Sequence, residues 1–472
     1  MTLIGDVDIN QREMKIIERN KTLLKTVFMV AFPIMVQNGF TNFVNLLDNI
    51  MVGRLGTEQM SGVAIVNELL FVYNLCIFGG FSGAGIFTAQ YFGKGDPEGV
   101  RNTFRFKLVL GSILVCGAVL IMTFFGRDLI GFYLNESADG GDLAAAMHSG
   151  LLYLDIMLIG LPGFALAQAY STTLRECGQA LVPMQAGIAA VVVNLGLNYV
   201  LIYGKLGFSA MGVRGAAIAT VISRYIEAAI IMVWTHRNTD SQPYAKGLYR
   251  TLRIPRTLVS RISSKGMILL LNEALWSMGM TLLAQCYSMR GLNAVAGVHM
   301  AETINMLFKV VFLAFGSSVG IIVGGLLGAG KLEEARETDK KIIMLSVFIS
   351  FFVGLVMISI SRLFPKLYNT NEVARAIATS LIITQGICLP IEAFKNATYF
   401  TLRSGGRTFI TFLFDGFYVI AVSFPVVFVL SRFTDASVLW LFVSVQITGI
   451  LKCILGFILV KRGVWIRNIV VE

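Results

Sequence analysis

Charge is scarce in this chain of 472 residues, with Asp, Glu, Lys and Arg making up 14% against roughly 25% in a soluble protein. So few charges cannot cover a water-exposed surface of this size, and disordered, coiled-coil and secreted disulfide-scaffold classes are excluded with it. Histidine is scarcer still. His148, His236 and His299 are the only three, and none has a second His or Cys three or four residues away to build a metal site. The six cysteines, Cys76, Cys116, Cys177, Cys286, Cys388 and Cys453, stand singly without a C-x-x-C pair, so neither a disulfide framework nor a thiolate metal site is expected. The glycine-rich run Gly324–Gly330 lacks the Gly-Lys-Ser/Thr ending of a phosphate loop, and no ATP site is read. No nucleophile and base, metal cluster or cofactor motif is present, so an enzyme is not expected. The N-terminal stretch carries Asp6, Asp8, Arg12, Glu13, Lys15 and Glu18 before any apolar run, which is not a signal-peptide pattern.

What the chain does have is apolar length. Apolar residues make up 56% and the mean hydropathy is +0.73. Reading runs of roughly 20 residues, enough to cross about 30 Å of hydrocarbon, predicts twelve transmembrane helices near 24–52, 60–92, 106–126, 144–174, 181–204, 210–235, 266–289, 294–327, 341–363, 375–401, 408–431 and 436–460. The fold class is therefore an all-α membrane protein. Its expected organisation is an N-terminal six-helix lobe over 1–236, a basic linker over 237–265 and a C-terminal six-helix lobe over 266–472. The net charge of +11 and the isoelectric point of 9.4 reflect loops retained on one side of the membrane rather than nucleic-acid binding. Segments on the side of the termini and linker hold 26 Lys and Arg and those on the other side nine. This predicts cytoplasmic termini, a cytoplasmic linker and an exterior acidic loop containing Asp128, Glu136, Asp139 and Asp142. A monomer in the plasma membrane is expected.

The two halves repeat. A shift of 235 residues places Gly56, Gly62, Ser82, Gly85, Gly93, Gly95 and Arg101 on Gly291, Gly297, Ser317, Gly320, Gly328, Gly330 and Arg336. A shift of 228 places Leu161-Pro162 on Leu389-Pro390 and Thr173-Leu174-Arg175 on Thr401-Leu402-Arg403. With six spans between equivalent positions the halves share one topology, so their pseudo-two-fold axis runs along the membrane normal and encloses a central cleft. That is a transporter's plan.

Polar residues inside the spans are the candidate site. Asn38, Thr41, Asn42, Asn45, Asp48 and Asn49 recur at helical spacing on one face of the first helix. An ionised acid there costs about 2.5–3.5 kcal/mol on insertion, so the stripe is expected to face the bundle interior. The second half is more charged, with Glu273, Glu302, Lys309, Glu392, Lys395 and Asp415 in spans. Glu302 and Lys309 share a helical face, as do Glu392 and Lys395. They read either as structural ion pairs or as charges of a substrate cavity formed with Asn38, Asn42 and Asn45.

Particular runs sharpen this reading: Asp48-Asn-Ile-Met-Val-Gly-Arg-Leu-Gly56 after a helix bearing Pro33, Gln90-Tyr-Phe-Gly-Lys-Gly-Asp96, Leu174-Arg-Glu-Cys-Gly-Gln179, Gly212-Val-Arg-Gly-Ala-Ala-Ile-Ala-Thr-Val-Ile-Ser-Arg224, Asn272-Glu273 and Gly324-Gly-Leu-Leu-Gly-Ala-Gly330. In these the chain resembles the multidrug and toxic compound extrusion (MATE) family, bacterial and DinF-like in its first half. The resemblance implies a two-lobe antiporter that exports amphipathic organic solutes while protons or sodium ions enter, with no cofactor beyond the coupling ion. It also implies an ion-coupling set of Asp48, Asn194, Asn198 and Thr220, and an acid at Glu273 like that of NorM-like members. A departure stands at Asn198, where DinF-like members carry Asp. With one carboxylate fewer, repayment of sodium dehydration is harder, whereas Asp48 flanked by amides can still exchange a proton. Lipid-linked oligosaccharide flippases share the two-lobe plan and are the alternative.

Overall fold

In the computed structural model the backbone is described over residues 3–136, 142–368 and 370–471, with side chains described from residue 18 onward except 19, 45, 46, 49, 135 and 136. Helices dominate it, and among the described residues twelve are long and apolar enough to cross a bilayer. The first lobe holds α1 (Leu3–Gly53), α2 (Thr57–Lys94), α3 (Pro97–Glu136), α4 (Leu143–Glu176), α5 (Leu181–Tyr203) and α6 (Val213–Arg237). The second holds α7 (Arg256–Ser288), α8 (Leu292–Phe308), α9 (Val310–Gly328), α10 (Leu332–Ser359), α11 (Glu372–Ser404), α12 (Thr408–Phe414), α13 (Gly416–Tyr418), α14 (Phe424–Phe433) and α15 (Val438–Lys461).

Several helices outrun the expected spans. α3 reaches from Pro97 to Glu136 and α7 begins at Arg256, because a helix continues into water at both ends while hydropathy marks only its hydrocarbon-immersed middle. Two spans are interrupted. The eighth breaks at Lys309, between α8 and α9, and the eleventh at Asp415, whose φ of −109° and ψ of −86° end α12. Beyond that break a π-helical turn over Val419–Ser423 precedes Pro425, which has no N–H to give to the preceding turn. Pro33, Pro162 and Pro390 lie inside continuous helices. Of the acidic loop, Asp142 caps α4, its carboxylate accepting from the N–H groups of Ala144 and Ala145 at 3.0 Å each; Asp139 and the Glu136 side chain lie outside the described residues.

Each lobe has its own apolar core, one around Phe81, Phe104, Leu154 and Tyr170, the other around Leu283, Ile304, Met357 and Leu441. Large apolar side chains also face outward, Phe124 at 73% exposure and Trp440 at 64% among them, which suits lipid and not water. The lobes meet chiefly on the face that carries the linker, where α2 packs against α7 and α9. Gly83 lies against Gly266 and Gly93 against the carbonyl of Gly325, so close that a Cβ on Gly83 or Gly93 would overlap the opposing backbone. Of the glycines repeated between the halves, Gly93 and its counterpart Gly328 lie on this seam, Gly328 against the Gln90 carbonyl.

The segment after α15 fills that seam. Trp465 is fully buried, and Ile469 and Val470 pack with Phe87 and Phe106 of the first lobe and Leu258 and Ile262 of the second. Gln90 at the end of α2 is also fully buried. Its Nε2 donates to the carbonyls of Ser404 at 2.9 Å and Arg467 at 3.1 Å, and its Oε1 accepts from Ile469 N at 2.8 Å. One first-lobe amide is thereby satisfied entirely by second-lobe and tail backbone.

Candidate functional site

In the first lobe, helix periodicity brings three separate stretches to one point. Asp48 lies near the end of α1, while Asn194 and Asn198, four apart on α5, and Thr220 on α6 face it. Asn198 Nδ2 donates to Asp48 Oδ1 at 2.6 Å. Asn194 directs one amide group at the same carboxylate, 3.1 Å from both oxygens, and the other at Thr220 Oγ1, 3.3 Å away. A carboxylate requires donors, so the Asn194 nitrogen faces Asp48 and its oxygen accepts from the threonine. Asn194 and Asn198 are 5% and 1% exposed, and Asn198 Oδ1 is buried without a donor. The cluster therefore holds one formal negative charge, donors enough to stabilise it, and one spare carbonyl oxygen able to accept from a protonated carboxyl or to ligate a cation. Arg224 sits one turn below on α6, 3.3 Å from Glu227 and 5.4 Å from the Phe164 ring.

The rest of the α1 stripe is dispersed. Asn42 Nδ2 donates to the Met306 carbonyl of α8 at 3.1 Å, joining the lobes. Asn38 is half-buried, and the side chain of Asn45 lies outside the described residues.

The second lobe holds a separate cluster. Glu273 Oε1 accepts from the Tyr399 hydroxyl at 3.0 Å and from Asn272 Nδ2 at 3.4 Å. Asn272 Nδ2 also reaches Asp415 Oδ2 at 3.1 Å, and Asn272 Oδ1 accepts the Gly416 N–H at 2.8 Å, so this fully buried amide secures the helix break at Asp415. Lys452 on α15 closes the set, 2.7 Å from Asp415 Oδ1. Two acids and one lysine are shared by α7, α12 and α15.

Of the remaining charges, Glu392 and Lys395 form an ion pair at 2.5 Å. Glu302 is instead satisfied by Gln385 Nε2 at 2.9 Å and Asn305 Nδ2 at 3.4 Å rather than by Lys309. Lys452 and Tyr399 were missed by sequence reasoning. Lys452 had a signal, a lone cation within the last apolar run; Tyr399 had none, because aromatic residues are abundant throughout the chain. No group of acidic, His or Cys side chains suited to a metal occurs among the described residues.

A multi-pass helical bundle of two pseudo-symmetric lobes, each holding a polar cluster within the membrane, is built as a transporter rather than an enzyme. A MatE family profile matches residues 33–200 and 268–431, and the chain belongs to that family. Relatives agree: it is 24% identical over 448 residues to the probable multidrug resistance protein NorM of Thermotoga maritima, covering 94% of each chain. It is also 25% identical to the probable multidrug resistance protein YoeA of Bacillus subtilis, covering 89% of each. Among solved structures, an outward-facing multidrug resistance MATE family transporter of the MOP superfamily matches with a TM-score of 0.84 at 22% identity, covering 93% of this chain and 95% of that one. A MOP superfamily transporter from Pyrococcus furiosus matches at 0.83 and 21%, with the same coverage. The two-lobe, twelve-helix fold is thus shared with both solved structures.

Proposed function

We propose that this transporter is a secondary active antiporter that exports amphipathic organic solutes, drugs included, in exchange for protons, by alternating access, as a monomer with cytoplasmic termini. The observation that carries the proton reading is the first-lobe cluster. Asp48 is surrounded by two amides and a hydroxyl, with no second carboxylate among its ligating neighbours. A sodium site of protein oxygens needs negative charge to offset ion dehydration, and one carboxylate supplies little. A proton needs only one. Ionised, Asp48 accepts from Asn198 and Asn194; once Asp48 is protonated, a turn of the Asn198 amide brings Oδ1, the acceptor left without a partner, to the carboxyl proton. The amides thus offer donors to the ionised carboxylate and an acceptor to the protonated one, so proton uptake changes the charge at the end of α1 while a polar partner remains for either state.

Alternating access supplies the coupling. Closure along α2, α7, α9 and the C-terminal segment seals the linker side, leaving exchange to the opposite side. A proton taken up there by Asp48 weakens the draw of the carboxylate on α5, the α1 stripe shifts against α8 through Asn42, and solute is released as the proton is carried inward. Glu273 and Asp415 in the second lobe form the other candidate coupling site. Reconstitution into proteoliposomes with pH and sodium gradients imposed separately tests the reading, which requires efflux to follow the pH gradient.

A further inference from the structure

A groove of about 850 Å³ runs along the membrane-facing side of the seam between lobes, within the range of sites that hold small ligands, about 300–1,000 Å³. Leu24 and Val27 of α1 form one wall, Met344, Phe348 and Phe351 of α10 the other, and Phe394 of α11 the floor. Met344 and Phe348 are each 61% exposed, so the groove opens sideways toward lipid. One turn further along α1, Phe28 packs edge-on against Phe315 of α9 at 6.0 Å, holding α1 to the second lobe along this stretch.

The groove is polar at one end only. All lining residues but Asn20 and Lys341 are apolar, and these two meet at its mouth, where Lys341 Nζ donates to Asn20 Oδ1 at 2.8 Å. That partner is a neutral amide, so it does not cancel the charge, and an ammonium group has two further donors. Lys340 is exposed four residues before Met344, on the face that lines the groove, and Lys21 and Lys25 are exposed on α1 beside the mouth. From Lys341 to Phe351 the helix rises about 15 Å at 1.5 Å per residue, half of a hydrocarbon core of about 30 Å. The groove is therefore one leaflet deep, cationic at the interface and apolar below it.

We infer that this groove seats one anionic phospholipid from the leaflet on the linker side, with its phosphate at Lys341 and Lys340 and an acyl chain along Met344, Phe348 and Phe351. Basic pockets between helices at that interface select anionic headgroups. A free phosphate has no use for the apolar trench, and a cationic amphiphile meets four lysines at the mouth. Since α1 belongs to one lobe and α10 and α11 to the other, the lipid touches both halves of the transporter. The inference rests on the membrane placement of the chain and not on the identity of the coupling ion.

Native mass spectrometry of the purified full-length protein, titrated with phosphatidylglycerol or phosphatidylcholine, tests it without any transport measurement. Each lysine facing the headgroup contributes about a five-fold preference for the anionic lipid. Wild type should therefore take up its first phosphatidylglycerol at a concentration lower by about ten-fold or more than phosphatidylcholine. The double variant Lys340→Ala, Lys341→Ala should cut that preference by about ten-fold or more. Met344→Trp, which fills the trench and leaves both lysines in place, should remove the tight first binding event while helical content by circular dichroism is unchanged. Equal uptake of both headgroups by wild type, a preference that survives loss of both lysines, or tight binding that survives Met344→Trp in a folded protein overturns the proposal.

Discussion

At the scale of single residues, the chemistry of the first lobe turns on Asn198. Its Nδ2 lies 2.6 Å from Asp48 Oδ1, so replacing the amide by a carboxyl puts two acids in hydrogen-bond contact. Two such groups cannot easily both ionise, and the pair retains a proton more firmly than Asp48 alone. A cation relieves the repulsion. Asn198→Asp is therefore expected to bring or strengthen sodium dependence, with sodium competing against the proton, as read by isothermal titration of sodium into purified protein at two pH values. If wild type already binds sodium and that binding disappears in Glu273→Gln but survives Asp48→Asn, the ion site lies in the second lobe.

That second lobe offers its own test in the Asp415–Lys452 pair. Removing one partner of a buried ion pair leaves the other uncompensated and costs about 3–5 kcal/mol, whereas removing both is far milder. Lys452→Met should lower thermal stability markedly, and addition of Asp415→Asn should recover much of the loss. An additive double variant would show that the pair is not coupled.

At the scale of elements, the twelve spans were legible because lipid demands long apolar runs, and the interior polar stripe on α1 was legible because a charge in such a run needs a reason. Asp48, Asn194, Asn198 and Thr220, far apart in the chain, lie together in one cluster. The breaks at Lys309 and Asp415 were not legible. A helix break depends on what secures the freed backbone, and for Asp415 that is Asn272, 143 residues away. The role of Gln90 was equally hidden: its motif was visible, but its partners Ser404, Arg467 and Ile469 come from the other end of the chain. Those three bonds, with the burial of Ile469, hold the linker side closed. Gln90→Ala combined with Ile469→Asp should therefore shift the population toward opening on that side, read as faster alkylation of a cysteine placed at Gly266, where a Cβ meets nothing closer than 3.5 Å, in a cysteine-free background. Unchanged alkylation would mean that glycine packing alone closes the seam.

At the scale of the whole molecule, the excess of 26 basic residues over nine predicts orientation. A single cysteine at Lys246 should resist impermeant reagents in intact cells, while one at Leu206, 85% exposed on the opposite side, should react; the reverse pattern would invert the transporter. The pseudo-symmetric halves then form one machine whose lobes differ in chemistry, one acid among amides in the first, two acids and a lysine in the second.

Flux is the most direct test of that assignment. Solute efflux would be measured in proteoliposomes carrying wild type or Asp48→Asn, with a pH gradient alone and then a sodium gradient alone. If Asp48 carries the coupling proton, the pH gradient drives efflux by wild type, the sodium gradient does not, and Asp48→Asn, which can still hydrogen-bond but cannot exchange a proton, loses the pH-driven flux at near-normal expression. Undiminished pH-driven efflux by Asp48→Asn would contradict it.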